Sequence, residues 1–326
     1  MYGKEYIEVE KNVFLHIRDW GQGKPVVFIP GWPLGHEMFE YQFTQLPQQG
    51  YRCVGISMRG FGKSSKQWSE YNYDVFADDL KNVLDALDLR EITLTGFSMG
   101  GAIALHYMAR HRGKRVAKLA LCGAAAPSFT KRPDFPFGTE PGAVDRLIEL
   151  CHTDRGRLNG EFGKLFFRSE NAVSPQLGEW LHNLGMEASP HATAACLAIL
   201  RDSDLREDLT KVEVPTVIFH GTHDKICPFN LAEAMAAGGD VVNGAVAIAA
   251  GAKALAAGSK TVVAGTKGVI PAAKSVTVGI KGAKLIRFEN SGHALFYEEK
   301  DKFNLELVKF IEKKKRNNEF FFSETS

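Results

Sequence analysis

No cysteine in this 326-residue chain belongs to a CxxC pair, and the five present, Cys53, Cys122, Cys151, Cys196 and Cys227, are odd in number. This argues against a disulfide framework and suits free thiols in a reducing compartment. The opening Met1-Tyr-Gly-Lys-Glu5 runs into polar, strand-like sequence with no apolar h-region, so no secretory signal is expected and the cytoplasm is the expected location. Charge of one sign is lacking too: 40 Lys and Arg against 38 Asp and Glu leave a formal net charge of +2. The one basic run, Lys313 to Arg316, closes a helix, where cations suit the dipole, so no nucleic-acid partner is expected. Gly62-Lys63-Ser64 resembles the end of a phosphate loop, but the glycine required five residues earlier is Ser57. No HExxH pattern occurs, and His220 and His223 face opposite ways on an extended segment, so neither a metal nor a cofactor is expected.

With 44% hydrophobic and 24% charged residues, the composition is that of a soluble globular protein with room for a sizeable core. The chain is organised around Glu91-Ile-Thr-Leu-Thr-Gly96-Phe97-Ser98-Met99-Gly100-Gly101. There a short β-branched strand meets a glycine-flanked serine, and Ile103, Leu105, His106 and Met108 then recur at helical spacing. A serine at such a turn occupies a strained backbone, so the positions two before and two after it must lack a side chain. The turn lifts the hydroxyl clear of the sheet and leaves the Met99 amide at the positive end of a helix. Alone, Gly-x-Ser-x-Gly is short enough to arise by chance.

Lys4 to Glu10 and Val13 to Trp20 alternate as an antiparallel hairpin turning at Lys11-Asn12. Continuous apolar runs at Pro25 to Pro30, Tyr51 to Ser57 and Val116 to Gly123 read as strands covered on both faces. Helical spacing from about Glu37 to Leu46 and from Val75 to Leu89 separates them, giving an α/β chain with a mostly parallel sheet. From Ala124 to about Val212 no buried strand is legible, only loops and helices, among them Val144 to His152 and His191 to Arg201. Such an excursion leaves the sheet at a carboxyl end of its strands and reads as a cap over the site. Strands return at Val214 to His220 and Ala283 to Phe288, and a helix runs from about Lys300 to Lys314.

A serine hydroxyl is a weak nucleophile at neutral pH and needs a base and an orienting carboxylate. His293 lies in a turn after the last strand, and Asp224 follows the strand before it. No acid follows the strand ending at Gly123, so Ser98, Asp224 and His293 are the expected triad. A backbone N–H in the loop after Pro30, where Trp32 sits, is the expected second oxyanion donor beside Met99.

Gly31-Trp32-Pro33, Arg59-Gly60-Phe61-Gly62-Lys63-Ser64-Ser65, Gly96-Phe97-Ser98-Met99-Gly100-Gly101, His220-Gly221-Thr222-His223-Asp224 and Gly292-His293 together resemble the α/β-hydrolase fold, and in particular the cofactor-free haloperoxidases, arylesterases and perhydrolases. The resemblance covers nearly the whole chain except one insert. It implies a doubly wound, mostly parallel sheet of about eight strands with a helical cap, the core formed by residues 1–123 and 213–326 and the cap by 124–212. It also implies a Ser98–His293–Asp224 triad, amides of Trp32 and Met99 as oxyanion hole, Trp32 and Phe97 as substrate contacts, and ester hydrolysis with peracid formation as a side activity. Lactone or carbon–carbon bond hydrolysis on the same fold, and a ligand receptor with a barely active triad, remain the alternatives. The expected partner is a small ester or acid, with homo-oligomerisation left open. Two positions depart from the family pattern: Pro30 replaces a usual histidine, and Ser57 a common aspartate, the latter expected to affect stability more than chemistry.

The insert, 239–279, repeats every seven residues, with lysines at 253, 260, 267 and 274 and aliphatics such as Ile248, Leu255 and Val262. On a helix the two stripes would be nearly opposed, but recurring glycine and Pro271 weaken any helix. A surface excursion is expected, without stable membrane insertion, because lysine recurs too often.

Overall fold

The structure, a computed structural model, describes residues 5–237 and 279–313. Nearly all of the seven-residue repeat and the end of the basic run therefore lie outside the described residues. Eight strands form one sheet in the order β1-β2-β4-β3-β5-β6-β7-β8. β1 (Tyr6–Glu10) and β2 (Val13–Trp20) make the expected hairpin, with Asn12 at φ 64° in its turn. β2 is also antiparallel to β4 (Tyr51–Ile56). From β4 onward, through β3 (Lys24–Ile29), β5 (Ile92–Phe97), β6 (Val116–Cys122), β7 (Thr216–Gly221) and β8 (Lys284–Phe288), every pairing is parallel.

The central strands owe their place to composition. Every residue of β5 and β7 is buried, as continuous apolar runs require when helices cover both faces. α2 (Tyr73–Ala86) begins at Asn72, whose side chain accepts from the Val75 amide, and α3 (Met99–Arg110) packs against it. The region expected as one helix near Glu37 is divided: a 3₁₀ turn, His36–Phe39, precedes α1 (Glu40–Gln45). The Arg59-Gly60 loop is a scaffold feature. The Arg59 guanidinium is buried and bidentate on Asp79, with both contacts at 2.6 Å, and also donates to Glu10 at 3.0 Å.

Between β6 and β7 lie five helices: α4 (Pro141–Thr153), α5 (Arg155–Phe166), α6 (Pro175–Met186), α7 (Pro190–Asp202) and the short α8 (Arg206–Leu209). α4 and α7 fall where spacing indicates, while α5 and α6 were not individually legible. After β7 come α9 (Phe229–Ala236), then β8, α10 (Leu295–Glu298) and α11 (Lys300–Glu312). All five cysteines are buried thiols. Among the described residues no helix is long and apolar enough to cross a membrane.

Candidate active site

Ser98 stands between the last residue of β5 and the first of α3 with φ 53° and ψ −120°, a conformation that costs a non-glycine residue about 1–3 kcal/mol. The surroundings enforce it. The Ser98 N–H donates to the Cys122 carbonyl at 3.0 Å, and its own carbonyl accepts from Ala125 at 2.9 Å. A Cβ on Gly96 would lie 2.4 Å from the Gly100 carbonyl oxygen, and one on Gly100 would lie 2.3 Å from that of Ile29, so both positions exclude a side chain. Pro30 takes part in the same crowding, its carbonyl oxygen being 2.4 Å from that virtual atom.

The other two residues come from loops at the carboxyl ends of β7 and β8. His293 Nδ1 is 2.7 Å from Asp224 Oδ2, and both side chains are buried. The carboxylate therefore fixes the ring with its proton on Nδ1. Asp224 is itself fixed: Oδ1 accepts from the amides of Ile226 and Cys227, each at 2.8 Å. His220 Nε2 lies 2.8 Å from the Cys227 carbonyl and 3.3 Å from Asp224 Oδ2, so it adds a second imidazole beside the carboxylate. Burial alone would push this carboxyl up. The His293 charge and the hydrogen bonds from His220 and His293 outweigh burial and hold Asp224 well below the usual carboxylate range.

Phe97 joins the two halves of the site, its ring centroid 4.6 Å from that of His293. Among the described residues His293 Nε2 has no hydrogen-bond partner. The expected contact with Ser98 Oγ is thus not formed here. Contacts of this kind commonly tighten only when substrate binds. The backbone N–H groups of Trp32 and Met99 likewise have no partner among the described residues, and Met99 is the first residue of α3.

Trp32 is 4% exposed. Its indole N–H donates to the Thr193 carbonyl on α7 at 3.0 Å, and its ring meets Phe162 of α5 edge-on at 5.0 Å. A cavity of about 530 Å³ opens between α5 and α6 and reaches the loop after β3 at Pro33 and Leu34; Ser98, Asp224 and His293 do not line it. Phe162, Phe166, Phe167, Val173 and Leu181 supply its apolar wall, with Lys164, Glu170, Glu179 and His182 around it. Neither Trp32 nor Phe97 lines this space; both back the residues that do. Sequence reading missed Phe162 and Phe166, because no local pattern marks which cap aromatics turn inward. It also missed Glu298, whose carboxylate accepts from the Gly292 amide beside His293, and gave His220, though part of the motif that ends in Asp224, no role in the site. His223 does not join them, its Nδ1 lying 3.1 Å from Thr222 Oγ1.

Residues 24–240 match the family defined by the alpha/beta hydrolase fold. The chain belongs to this family. It is 42% identical over 305 residues to the AB hydrolase superfamily protein YisY of Bacillus subtilis (strain 168), a span covering 94% of this chain and 98% of that protein. Among solved structures it is similar to an esterase from Exiguobacterium antarcticum, with 37% identity, a TM-score of 0.78 and coverage of 94% and 99% of the two chains. A bromoperoxidase from Bacillus anthracis is also similar, with 29% identity, a TM-score of 0.77 and the same coverages. An α/β hydrolase with esterase and haloperoxidase relatives is therefore established at the level of the family.

Proposed function

We propose that this protein is a serine carboxylic-ester hydrolase with perhydrolase side activity. The observation that carries the reading is the buried 2.7 Å contact between His293 Nδ1 and Asp224, beside the turn that presents Ser98. In this mechanism the Ser98 hydroxyl turns toward His293 Nε2, which takes its proton as Oγ attacks the ester carbonyl carbon. The carbonyl oxygen becomes an oxyanion between the amides of Trp32 and Met99, donors typically worth about 3–4 kcal/mol each in the transition state. Collapse breaks the ester C–O bond, and the alkoxide leaves with the proton from His293. Water, deprotonated by the same nitrogen, then attacks the acyl-enzyme and releases the acid; hydrogen peroxide in its place releases a peracid. Asp224 holds the ring in its tautomer and offsets the imidazolium charge.

Similarity to an esterase and a bromoperoxidase over nearly the whole chain supports this choice. Five buried thiols suit a cytoplasmic enzyme. The test is steady-state and burst kinetics on p-nitrophenyl esters of graded chain length. Ser98→Ala and His293→Ala should each lose roughly 10⁴-fold or more in kcat, with the burst absent in Ser98→Ala. Near-normal turnover in Ser98→Ala would remove the serine from the chemistry. A burst that stalls in the parent protein would favour a ligand receptor.

A further inference from the structure

Three side chains outside the Ser98 site converge with no apparent duty. His16 is on β2, its amide donating to Ser64 Oγ at 2.8 Å and its carbonyl accepting from the Ser57 amide at 3.0 Å. His36 and Glu37 open the 3₁₀ turn that follows the oxyanion loop. His16 Nδ1 lies 3.5 Å and His36 Nε2 3.9 Å from Glu37 Oε1, and one donor atom from each of the three residues falls within 4.8 Å of the others. The His36 side chain is fully buried. Among the described residues His16 Nδ1, His36 Nε2 and Glu37 Oε2 are buried without any hydrogen-bond partner. Leaving such groups unpaired costs roughly 1–3 kcal/mol each, and the 3.5 and 3.9 Å approaches of the two imidazoles to Glu37 Oε1 are too long to satisfy them.

The chemistry of the set indicates what would. His36 Nδ1 is 2.9 Å from Ser57 Oγ, and that hydroxyl also accepts the His36 amide at 3.0 Å. With the ring proton on Nδ1 and directed at Ser57, Nε2 presents a lone pair, the arrangement that orients histidine ligands in metal sites. Two imidazole nitrogens and a carboxylate oxygen then converge as acceptors. A water molecule offers two protons to three acceptors, whereas a cation satisfies all three. Room exists because residue 35 is glycine: a Cβ there would lie 2.4 Å from Glu37 Oε2 and 2.8 Å from Ser57 Oγ. Tetrahedral zinc, with bonds of about 2.0–2.2 Å, keeps its ligands about 3.3 Å apart; the two imidazole-to-carboxylate distances, 3.5 and 3.9 Å, are near this, and the two imidazole nitrogens, within 4.8 Å of each other, draw together on binding.

We propose that His16 Nδ1, His36 Nε2 and the Glu37 carboxylate bind a divalent transition metal of the zinc type, at a site separate from Ser98. Solvent completes the coordination, and the ion ties the segment after the oxyanion loop to β2. Ser57 serves as the partner that orients His36.

The test titrates chelator-stripped full-length protein with Zn²⁺ by calorimetry and follows the melting temperature, with Co²⁺ as a spectroscopic probe. The expected result is one tight equivalent per chain and a raised melting temperature. Glu37→Gln and His16→Gln should each bind at least about tenfold more weakly, while His152→Gln, at an exposed histidine, should match the parent. Absence of a stoichiometric Zn²⁺ event in the parent overturns the proposal, as does unchanged binding in both variants. If the variants do not fold, the Co²⁺ spectrum of the parent decides: intense bands of a four- or five-coordinate site support it, and the weak bands of the hexaaqua type overturn it.

Discussion

Glu298 accepts a 2.7 Å hydrogen bond from the amide of Gly292, the residue before His293. Its other carboxylate oxygen accepts from the Arg168 amide, also at 2.7 Å, so one side chain binds the histidine loop to the segment just after α5. Replacing Glu298 by alanine should leave Ser98 and Asp224 untouched yet let the His293 loop shift. The expected outcome is a fall in kcat of about 10–100-fold with a smaller change in KM, and Glu298→Gln should recover part of it. Steady-state kinetics of both variants check this; equal losses in alanine and glutamine would tie the effect to charge instead of position.

Asp224 carries a pH dependence whose sign follows from its partners. Its ordinary value is 3.8 and its native value is lower. Between the two, the unfolded chain binds more protons than the native protein, so stability rises with pH across that window and is lost on acidification from about 3.8 downward. Urea midpoints measured between neutral pH and pH 3 should fall at the acid end, and Asp224→Asn should flatten that part of the curve.

Gly100→Ala tests the crowding under the elbow. The added methyl would meet two backbone carbonyl oxygens, which cannot swing aside as a flexible side chain can. A loss of about 3 kcal/mol or more is expected, together with most of the activity. Chemical denaturation and ester turnover on the same preparation measure both.

Trp32→Phe removes one N–H donor and leaves the Thr193 carbonyl without it. The stability cost should be about 1–2 kcal/mol. The more informative readout is kcat, expected to fall several-fold because the amide of the same residue faces the proposed oxyanion.

Pro33 follows Trp32 and lines the cavity. Pro33→Leu should diminish peracid formation from a carboxylic acid and hydrogen peroxide more than ester hydrolysis, measured side by side. Equal losses would leave Pro33 a structural residue.

Much of this architecture was legible because its causes are local. The unbroken apolar runs at Val26 to Ile29 and Val217 to Phe219 specify strands buried on both faces, and the glycines around Ser98 specify the turn. The order of Ser98, Asp224 and His293 along the chain then leaves few choices for the site. α5 and α6 escaped notice because Gly156, Gly160, Gly163, Gly178 and Gly185 dilute their helical pattern, each costing about 1 kcal/mol against alanine. Packing compensates, through contacts such as Phe162 against Trp32. Side-chain caps also help: Asp154 and Ser174 accept from the amides of Arg157 and Leu177. The meeting of His16 with His36 and Glu37 has no local signature, since it depends on β2 lying beside β4 and on the 3₁₀ turn that opens at His36.

The indole of Trp32 reaches α7 by its N–H and α5 by its ring, while the amide of the same residue belongs to the loop that faces Ser98. If the Trp32 amide is the proposed oxyanion donor, substrate choice and catalytic rate are inherited together. A cap transplanted from a relative with a different cavity would bring a different seat for Trp32, and the chimera would change its turnover on every ester alongside its preference among them.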